Sequence, residues 1–136
     1  MSRVKVDDAT FALVSVTPQD FARLMQDPEL SPRMTAPFML LKDAFEVTML
    51  LDDTDFGTMR HALRDAKIER GYRLVTFDIE LDPGVVGFMA EVSRILADAA
   101  IPILAICAFT RDHLLIRQHD LANALKALGP HVAELC

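Results

Sequence analysis

The stretch from Leu74 to Ile116 restricts the fold more than any other part of this 136-residue chain. An apolar strand leads through a turn at Asp82-Pro83-Gly84 into an amphipathic helix, which the spacing predicts over residues 86–99. The apolar residues of that helix recur at helical spacing and form one stripe: Phe88, Val92, Ile95 and Ala99. Two strands follow, at residues 103–108 and 113–116, so the pattern indicates a strand–helix–strand–strand unit.

The remaining segments extend this order and repeat it. Thr17 and Pro18 mark a helix start, because a hydroxyl caps the first turn and proline fits the first helical position. Three prolines between residues 27 and 37 exclude a helix there. The other predicted elements are, in chain order, strands at 10–16, 38–41 and 45–51, a helix at 52–66, strands at 66–70 and 72–80, a helix at 120–128 and a short strand at 132–135.

The two halves share one element order, and this order defines the predicted fold class. Each half forms a βαββαβ unit, which is typical of a ferredoxin-like plait whose antiparallel sheet carries helices on one face. We therefore predict an α+β protein of two such units packed as a tandem, with domains at residues 1–70 and 71–136. Sheets of this kind leave edges and one face open, and a second chain can cover them.

Composition and charge exclude several classes of protein. The net charge is −6 and no basic arm or patch is present, which argues against a nucleic-acid partner. The apolar runs are too short to span a bilayer, and the N-terminus lacks the apolar core of a signal peptide. The cysteine spacing fits neither a disulfide scaffold nor a metal site. We predict a reduced, cytoplasmic protein with no membrane partner, and a homo-oligomer such as a dimer, because the mean hydropathy is positive.

Carboxylates cluster at the predicted helix start Asp52-Asp53-Thr54-Asp55. A helix N-terminus favours negative charge, so capping explains the cluster. A calcium loop needs further oxygen ligands at alternating positions and a following glutamate, and the sequence lacks this pattern. The four histidines have no paired metal-ligand spacing. We therefore predict neither a metal site nor a cofactor.

The second half resembles an ACT domain, the regulatory fold of many enzymes of amino-acid metabolism. The resemblance rests on the segment VVGFMAEVSRILADAAIPILAI, which has a glycine at the helix start. The segment ICAFTRDHLLIRQHDLANALKAL, and AFTRDHLLI within it, is similar to the C-terminal part of stand-alone tandem ACT proteins. Those proteins are related to the ACT domains of aspartokinases and to arginine sensors of the CASTOR type. The resemblance spans residues 72–128, and the first half matches in element order alone.

This chain departs from the family pattern at two places. The common motif Asp-x-Pro-Gly-x-Leu aligns its Pro-Gly with Val86-Gly87, three residues after Asp82-Pro83-Gly84, which then forms the turn into the helix. Cys107-Ala108 stands where the family usually has Ser-Thr. The second departure removes a hydroxyl that can hydrogen-bond a ligand, so affinity or ligand identity is expected to differ.

A site for a free amino acid needs an anchor for the carboxylate and a partner for the ammonium group. The helix start at Val86, Gly87 and Phe88 offers backbone N–H groups at the positive end of the helix dipole, and a glycine lets a ligand approach closely. Asp112 offers a carboxylate, and the resemblance to arginine sensors implies that this acidic position contacts the ligand. The resemblance also implies that three further residues line the same turn: Ala108, Phe109 and Arg111.

Each of these positions also has a purely structural interpretation. Asp112 is equally typical of a hairpin turn, and Gly87 of close packing between a helix and a sheet. Cys107 fits a core position with an unreactive thiol, and His113 fits a solvated strand end. Both kinds of interpretation stay open at the level of sequence.

Three functional hypotheses follow. The leading one is a regulatory protein, not an enzyme, that binds an amino acid or related metabolite at the interface of its ACT units. Binding would change its association with a regulated protein partner or with itself. The alternative is an oligomerisation module with a vestigial pocket, which the departure at Cys107-Ala108 favours. The third is an enzyme with Asp112 and His113 as an acid–base pair, although no Ser-His-Asp order, nucleophile elbow or P-loop accompanies them.

Overall fold

Strands and short helices alternate throughout the part of the chain that this computed structural model describes, residues 3–78, 87–132 and 134–135. The elements among these residues are β1 (Arg3–Val16), α1 (Pro18–Leu24), β2 (Met39–Lys42), β3 (Val47–Asp52), α2 (Asp53–Met59), β4 (Lys67–Phe77), α3 (Phe88–Asp98), β5 (Leu104–Cys107), β6 (Asp112–Arg117), α4 (Leu121–Leu128) and β7 (Glu134–Leu135). No helix in the described ranges is long and apolar enough to cross a membrane.

The chain forms two compact units. The N-terminal unit comprises Ala9–Gly71, and the C-terminal unit comprises Met1–Asp8 together with Tyr72–Cys136. The two long strands β1 and β4 therefore each contribute one part to each unit. The predicted domain division, 1–70 and 71–136, stays a prediction. The compact units differ from it at residue 71 and in residues 1–8. Residues 1–8 belong to the C-terminal unit because the start of β1 pairs with β7 in parallel.

Local sequence signals explain the elements of the N-terminal unit. Thr17 caps α1 by accepting a hydrogen bond from the backbone N–H of Asp20 at 3.1 Å, and Pro18 lies in the first turn, as predicted. β2 and β3 pair antiparallel. Asp43 closes the turn between them, since its carboxylate accepts a hydrogen bond from the N–H of Phe45 at 2.7 Å. This side chain stabilises the turn in place of the Asn-Gly pair that many hairpins use.

α2 is shorter than the helix predicted over residues 52–66. It ends at Met59, and a single 3-10 turn, Arg60–Ala62, follows it. Leu63 and Ala66 pack against the core of the N-terminal unit from beyond the helix. The apolar spacing therefore predicted too long a helix, because residues of an irregular segment can also pack against the core.

Three charged residues hold the start of α2. Asp52 caps the helix by accepting a hydrogen bond from the N–H of Asp55 at 2.8 Å, which confirms the predicted capping role of this acidic cluster. Arg33 donates to both carboxylates, through Nη2 to Asp52 and through Nε to Asp55, the latter at 2.9 Å. Both aspartates are buried, so Arg33 compensates two charges that the protein interior would otherwise disfavour.

The strands of the C-terminal unit follow the order β7-β1-β4-β6-β5. β4 and β6 pair antiparallel, as do β5 and β6. One face of this sheet packs against α3 and α4, and the shared core contains Val4, Val75, Phe77, Val92, Ile95, Leu96, Leu114, Ile116, Ala124 and Leu128. The predicted fold class is confirmed: an α+β protein with two ferredoxin-like βαββαβ units in tandem along the chain.

β4 is a single strand where the sequence predicted two, at residues 66–70 and 72–80. Gly71 lies within it at a φ of +85°, which residues with a side chain rarely adopt. The glycine therefore admits a local distortion without ending the strand. Residues 79 and 80 of the predicted strand, and the predicted turn at 82–84, lie outside the described residues.

α3 buries most of its predicted apolar stripe. Val92 and Ile95 are buried against the sheet, while the ion-paired residues Glu91 and Arg94 are exposed on the opposite side. Ala99, also predicted on the stripe, is exposed because the helix ends at Asp98.

Candidate ligand site

Gly87 lies at the start of α3, and its backbone conformation, not close packing, requires a glycine there. Its φ is +91°, in the left-handed region, and its carbonyl accepts the first hydrogen bond of the helix from Glu91 N–H at 3.0 Å. A Cβ added at Gly87 would meet no described atom within 4 Å. Close helix–sheet packing therefore does not explain this glycine, and its positive φ does. The preceding Val86 lies outside the described residues.

Phe88 fixes the start of α3 to the end of β4. Its half-buried ring meets the fully buried ring of Phe77 edge to face, with the centroids 5.3 Å apart. The contact positions the first N–H groups of the helix, which have no intrahelical partner. Gly87 has no side chain, so it gives these N–H groups no side-chain cap. A helix start of this kind can bind an anion.

The turn between β5 and β6 exposes two of the predicted residues at its tip. The N–H of Ala108 donates to the carbonyl of Arg111 at 2.9 Å and closes the turn. Ala108 is exposed, and 85% of Phe109 is accessible to solvent. An exposed aromatic side chain of this size offers an apolar contact to whatever approaches the turn.

Asp112 is the first residue of β6 and pairs with Cys107 of β5. Hydrogen bonding with the neighbouring Asp112 carboxylate is the main reason that the pKa of the Cys107 thiol is raised, and burial and the charge of Asp112 add to the rise. Cys107 is exposed on an edge strand, so the predicted core position is wrong. The protonated thiol stays a weak nucleophile, in line with the predicted inertness.

Arg111 pairs with Asp78, a carboxylate that the sequence analysis did not identify. Its Nε donates to Asp78 Oδ1 at 3.1 Å, while the other oxygen of Asp78 contacts Arg3 at 3.0 Å and Lys5 at 3.2 Å. The hydrogen bonds from Arg111, Lys5 and Arg3, in that order, lower the pKa of Asp78 to about 2. A single aspartate at a strand end carries no distinctive pattern, so only the pairing of β1, β4 and β6 could reveal this cluster.

The low pKa of Asp78 predicts a distinct response to acid. Its folded-state pKa of about 2 lies below its ordinary value of 3.8, so the ionised group stabilises the fold above that ordinary value and loses this effect as pH falls toward 2. We expect Asp78→Asn to lose less stability than the parent between about pH 7 and 3 in urea denaturation. Asp98→Asn, at an exposed aspartate of α3, should follow the parent. Equal acid sensitivity of Asp78→Asn and the parent would contradict this expectation.

Asp112 and the start of α3 lie at the same end of the same sheet face. Thr76 of β4 is opposite His113 of β6, so the next position along both strands places Phe77 opposite Asp112. Phe77 is buried beneath α3 and contacts Phe88. Asp112 and Phe88 therefore flank Phe77 from two sides. A carboxylate and the N–H groups of a helix start are the two kinds of group that an amino-acid ligand needs.

His113 points to the other face of the sheet from Asp112, because consecutive strand residues alternate. Its Nδ1 lies 2.8 Å from the hydroxyl of Thr76. Burial is the main reason that its pKa is lowered, with Arg111 adding to this and Asp112 opposing it. His113 is thus half-buried and hydrogen-bonded rather than solvated. The strand does not present Asp112 and His113 together, as a catalytic acid–base pair requires.

Among the residues that the structure describes, no three His, Cys, Asp or Glu side chains form a group that could hold a metal ion.

The fold and this site define the class of protein that the chain resembles. Residues 67–129 match the family model described as the ACT domain. This range contains β4, the helix start at Gly87 and the turn before Asp112, so the match covers the whole candidate site. The match includes residues 72–128, where the sequence resembles an ACT domain, and begins five residues earlier, at residue 67.

Solved structures show the same fold along nearly the whole chain. A protein from Agrobacterium tumefaciens is 15% identical with a TM-score of 0.76, covering 99% of this chain and 92% of its own. The regulatory subunit of aspartate kinase from Thermus flavus is 12% identical with a TM-score of 0.68, and the match covers 93% of this chain and 95% of that subunit. That from Thermus thermophilus, in its ligand-free form, is 14% identical with a TM-score of 0.66, covering 96% of each chain. The chain therefore shares the fold of these structures. A comparison with curated proteins finds no match.

Proposed function

We propose that the protein is a regulatory protein that binds an amino acid or a related small metabolite in its C-terminal unit. The observation that carries the proposal is the position of Asp112 beside Phe77 and the start of α3. The helix-start N–H groups would bind the ligand carboxylate, and Asp112 would bind its ammonium group. The exposed turn with Ala108 and Phe109 would contact the ligand side chain.

The structural neighbours support a regulatory role rather than a catalytic one, since two of them are regulatory subunits of aspartate kinase. In this proposal the ligand orders the α3 start and the β5–β6 turn, and the altered surface changes how the protein associates with a partner or with itself. Placement of the ligand between ACT units stays a prediction, and so do the cytoplasmic location and the dimer.

Exposed apolar residues on the β5 edge favour a second candidate, an oligomerisation module. Leu104 is 40% exposed on this edge strand, and Phe109 extends the apolar surface at the following turn. An apolar edge strand with free backbone groups is a surface for pairing with another chain. Under this alternative Asp112 serves only as the first residue of β6, opposite Cys107 of β5.

A thermal-shift panel of the twenty amino acids tests the proposal. A ligand at about 100 times its Kd stabilises the folded state by about 2.7 kcal/mol, which raises the melting temperature by roughly 5 °C or more. We expect one amino acid or a small group of them to do so. Asp112→Asn should weaken binding by about 10- to 100-fold, because a charge-assisted hydrogen bond is lost.

Asp98→Asn is the matched control, since it removes one carboxylate from an exposed position of the same unit. Binding that Asp112→Asn and Asp98→Asn affect equally would argue against a specific ammonium contact. No shift with any amino acid at millimolar concentration, together with concentration-dependent association in sedimentation, would replace the proposal by the oligomerisation module.

A further inference from the structure

β2 is an edge strand of the N-terminal unit, and apolar side chains are exposed along it. It pairs with β3 on one side and has no second neighbour among the strands that the structure describes. Leu40 and Leu41 of β2 are 42% and 57% exposed, and Phe45 in the following turn is 84% exposed. The only charged residue of the strand is Lys42, at its end. An edge of this kind is a surface on which another strand can pair.

The turn after β2 determines which backbone groups face away from the sheet. The N–H of Asp43 donates to the carbonyl of Glu46 at 3.1 Å, so the backbone groups of Asp43 point toward β3. These directions alternate along an antiparallel strand. Leu41 therefore also bonds to β3, whereas Leu40 and Lys42 direct their N–H and C=O groups outward. The outer side of β2 thus presents two donors and two acceptors in a row.

The exposed leucines lie on both faces of the sheet at this edge. Leu40 is opposite Met49, which belongs to the core that α1 and α2 cover. Leu41 is the next residue along the strand, so its side chain points to the other face. A group that docks on one face would cover only one of the two leucines. A strand that pairs with β2 would cover part of both, so the arrangement favours pairing in the plane of the sheet.

We propose that β2 pairs antiparallel with β2 of a second copy of this chain across a two-fold axis. Such an interface places a segment against itself, so the segment must be self-complementary. The outward groups of Leu40 and Lys42 can bond to those of the second copy in three registers, centred on Leu40, Leu41 or Lys42.

Charge selects among these registers. The register centred on Lys42 places two lysines directly opposite each other, which destabilises a sheet. The other two place Leu40 opposite Leu40 or Leu41 opposite Leu41, so the edge is complementary to itself. This self-complementarity favours a second copy over an unrelated peptide. The inference does not rest on the proposed amino-acid site, because the residues of that site lie in the C-terminal unit.

Sedimentation velocity of the full chain over a range from about 1 µM to about 1 mM tests the proposal. Salt at about 0.15 M screens the repulsion between two chains of net charge −6. We expect a reversible dimer with a Kd on the order of 10 µM, because a strand of 4 residues with one adjoining turn provides less surface than a standard stable interface.

Two substitutions on β2 should each weaken the dimer by about tenfold or more. Leu40→Pro removes an N–H that faces outward and leaves the hydrogen bonds to β3 in place, which an edge strand tolerates. Leu41→Lys places a positive charge in the apolar contact of each copy. It also keeps the test valid if the proline disturbs the strand, because Leu41 is exposed and a lysine there should leave the urea denaturation midpoint close to that of the parent.

Leu104→Lys is the matched control, since it makes the same change at a leucine that is 40% exposed on β5, the edge strand of the C-terminal unit. We expect it to change the Kd by less than about twofold. A chain that stays monomeric over the whole range overturns the inference. A dimer that both β2 variants leave intact, or that Leu104→Lys weakens as much as they do, also overturns it.

Discussion

Replacing Phe77 by alanine is expected to destabilise the protein by about 3–5 kcal/mol, the usual cost of removing a large aromatic side chain from a core. The ring of Phe77 is fully buried among residues of β4, β6, α3 and α4. Its edge contact with Phe88 adds to the loss. Denaturation in urea, compared with the parent at the same pH, measures the change in the free energy of unfolding.

Phe109→Ala provides a matched control in the same unit. It makes the same chemical change at a side chain that is 85% exposed, so we expect a change within about 0.5 kcal/mol. A cost below about 1 kcal/mol for Phe77→Ala would contradict the assignment of Phe77 to the core. Because Phe77 supports the helix start through Phe88, Phe77→Ala should also bind any amino-acid ligand more weakly than the parent does.

Replacing Asp55 by alanine is expected to cost about 2–3 kcal/mol, because it breaks a buried network. Asp55 is 5% exposed. Its Oδ1 accepts hydrogen bonds from Nε and the backbone N–H of Arg33 at 2.9 and 3.2 Å. Without the carboxylate, the segment around Arg33 loses two hydrogen bonds to α2 and keeps the one from Nη2 to Asp52, the cap of the helix. Its Oδ2 is buried without a hydrogen-bond partner among the described residues, so some desolvation cost is relieved and the loss stays moderate.

Asp53→Ala distinguishes the contribution of this buried network from that of a negative charge near the helix N-terminus. Asp53 is in the first turn of the same helix, but its side chain is 48% exposed. Its loss should cost about 0.5 kcal/mol or less. Equal costs for Asp55→Ala and Asp53→Ala, measured by urea denaturation, would show that α2 loses only a favourable charge near its N-terminus.

Local signals in the sequence were sufficient for most of the fold. Thr17 and Pro18 located the start of α1, and Asp52 located the start of α2, because capping depends on residues within one turn. The apolar spacing of Val92 and Ile95 identified the buried side of α3. The start of α3 at Gly87 and the turn before Asp112 were predicted in the same way, so part of the candidate site followed from local pattern.

Features that join distant residues were not predictable from such patterns. Arg33 and Asp55 are 22 positions apart, and Arg111 and Asp78 are 33 positions apart. Neither pair has a spacing that a helix or a strand would impose. Cys107 was assigned to the core because its strand is apolar. Its exposure follows from the edge position of β5, which depends on the order of strands rather than on composition.

The pairing of the first residues with β7 limits how the polypeptide can be divided. A gene fragment that encodes only residues 71–136 would lack Arg3 and Val4, the partners of Glu134 and Leu135. Such a fragment would leave an open gap between two strands of its own sheet, and it would lose two of the three cations around Asp78. A fragment that contains the whole sheet of the C-terminal unit must therefore include the start of β1, joined to residues 72–136 as in a circularly permuted protein.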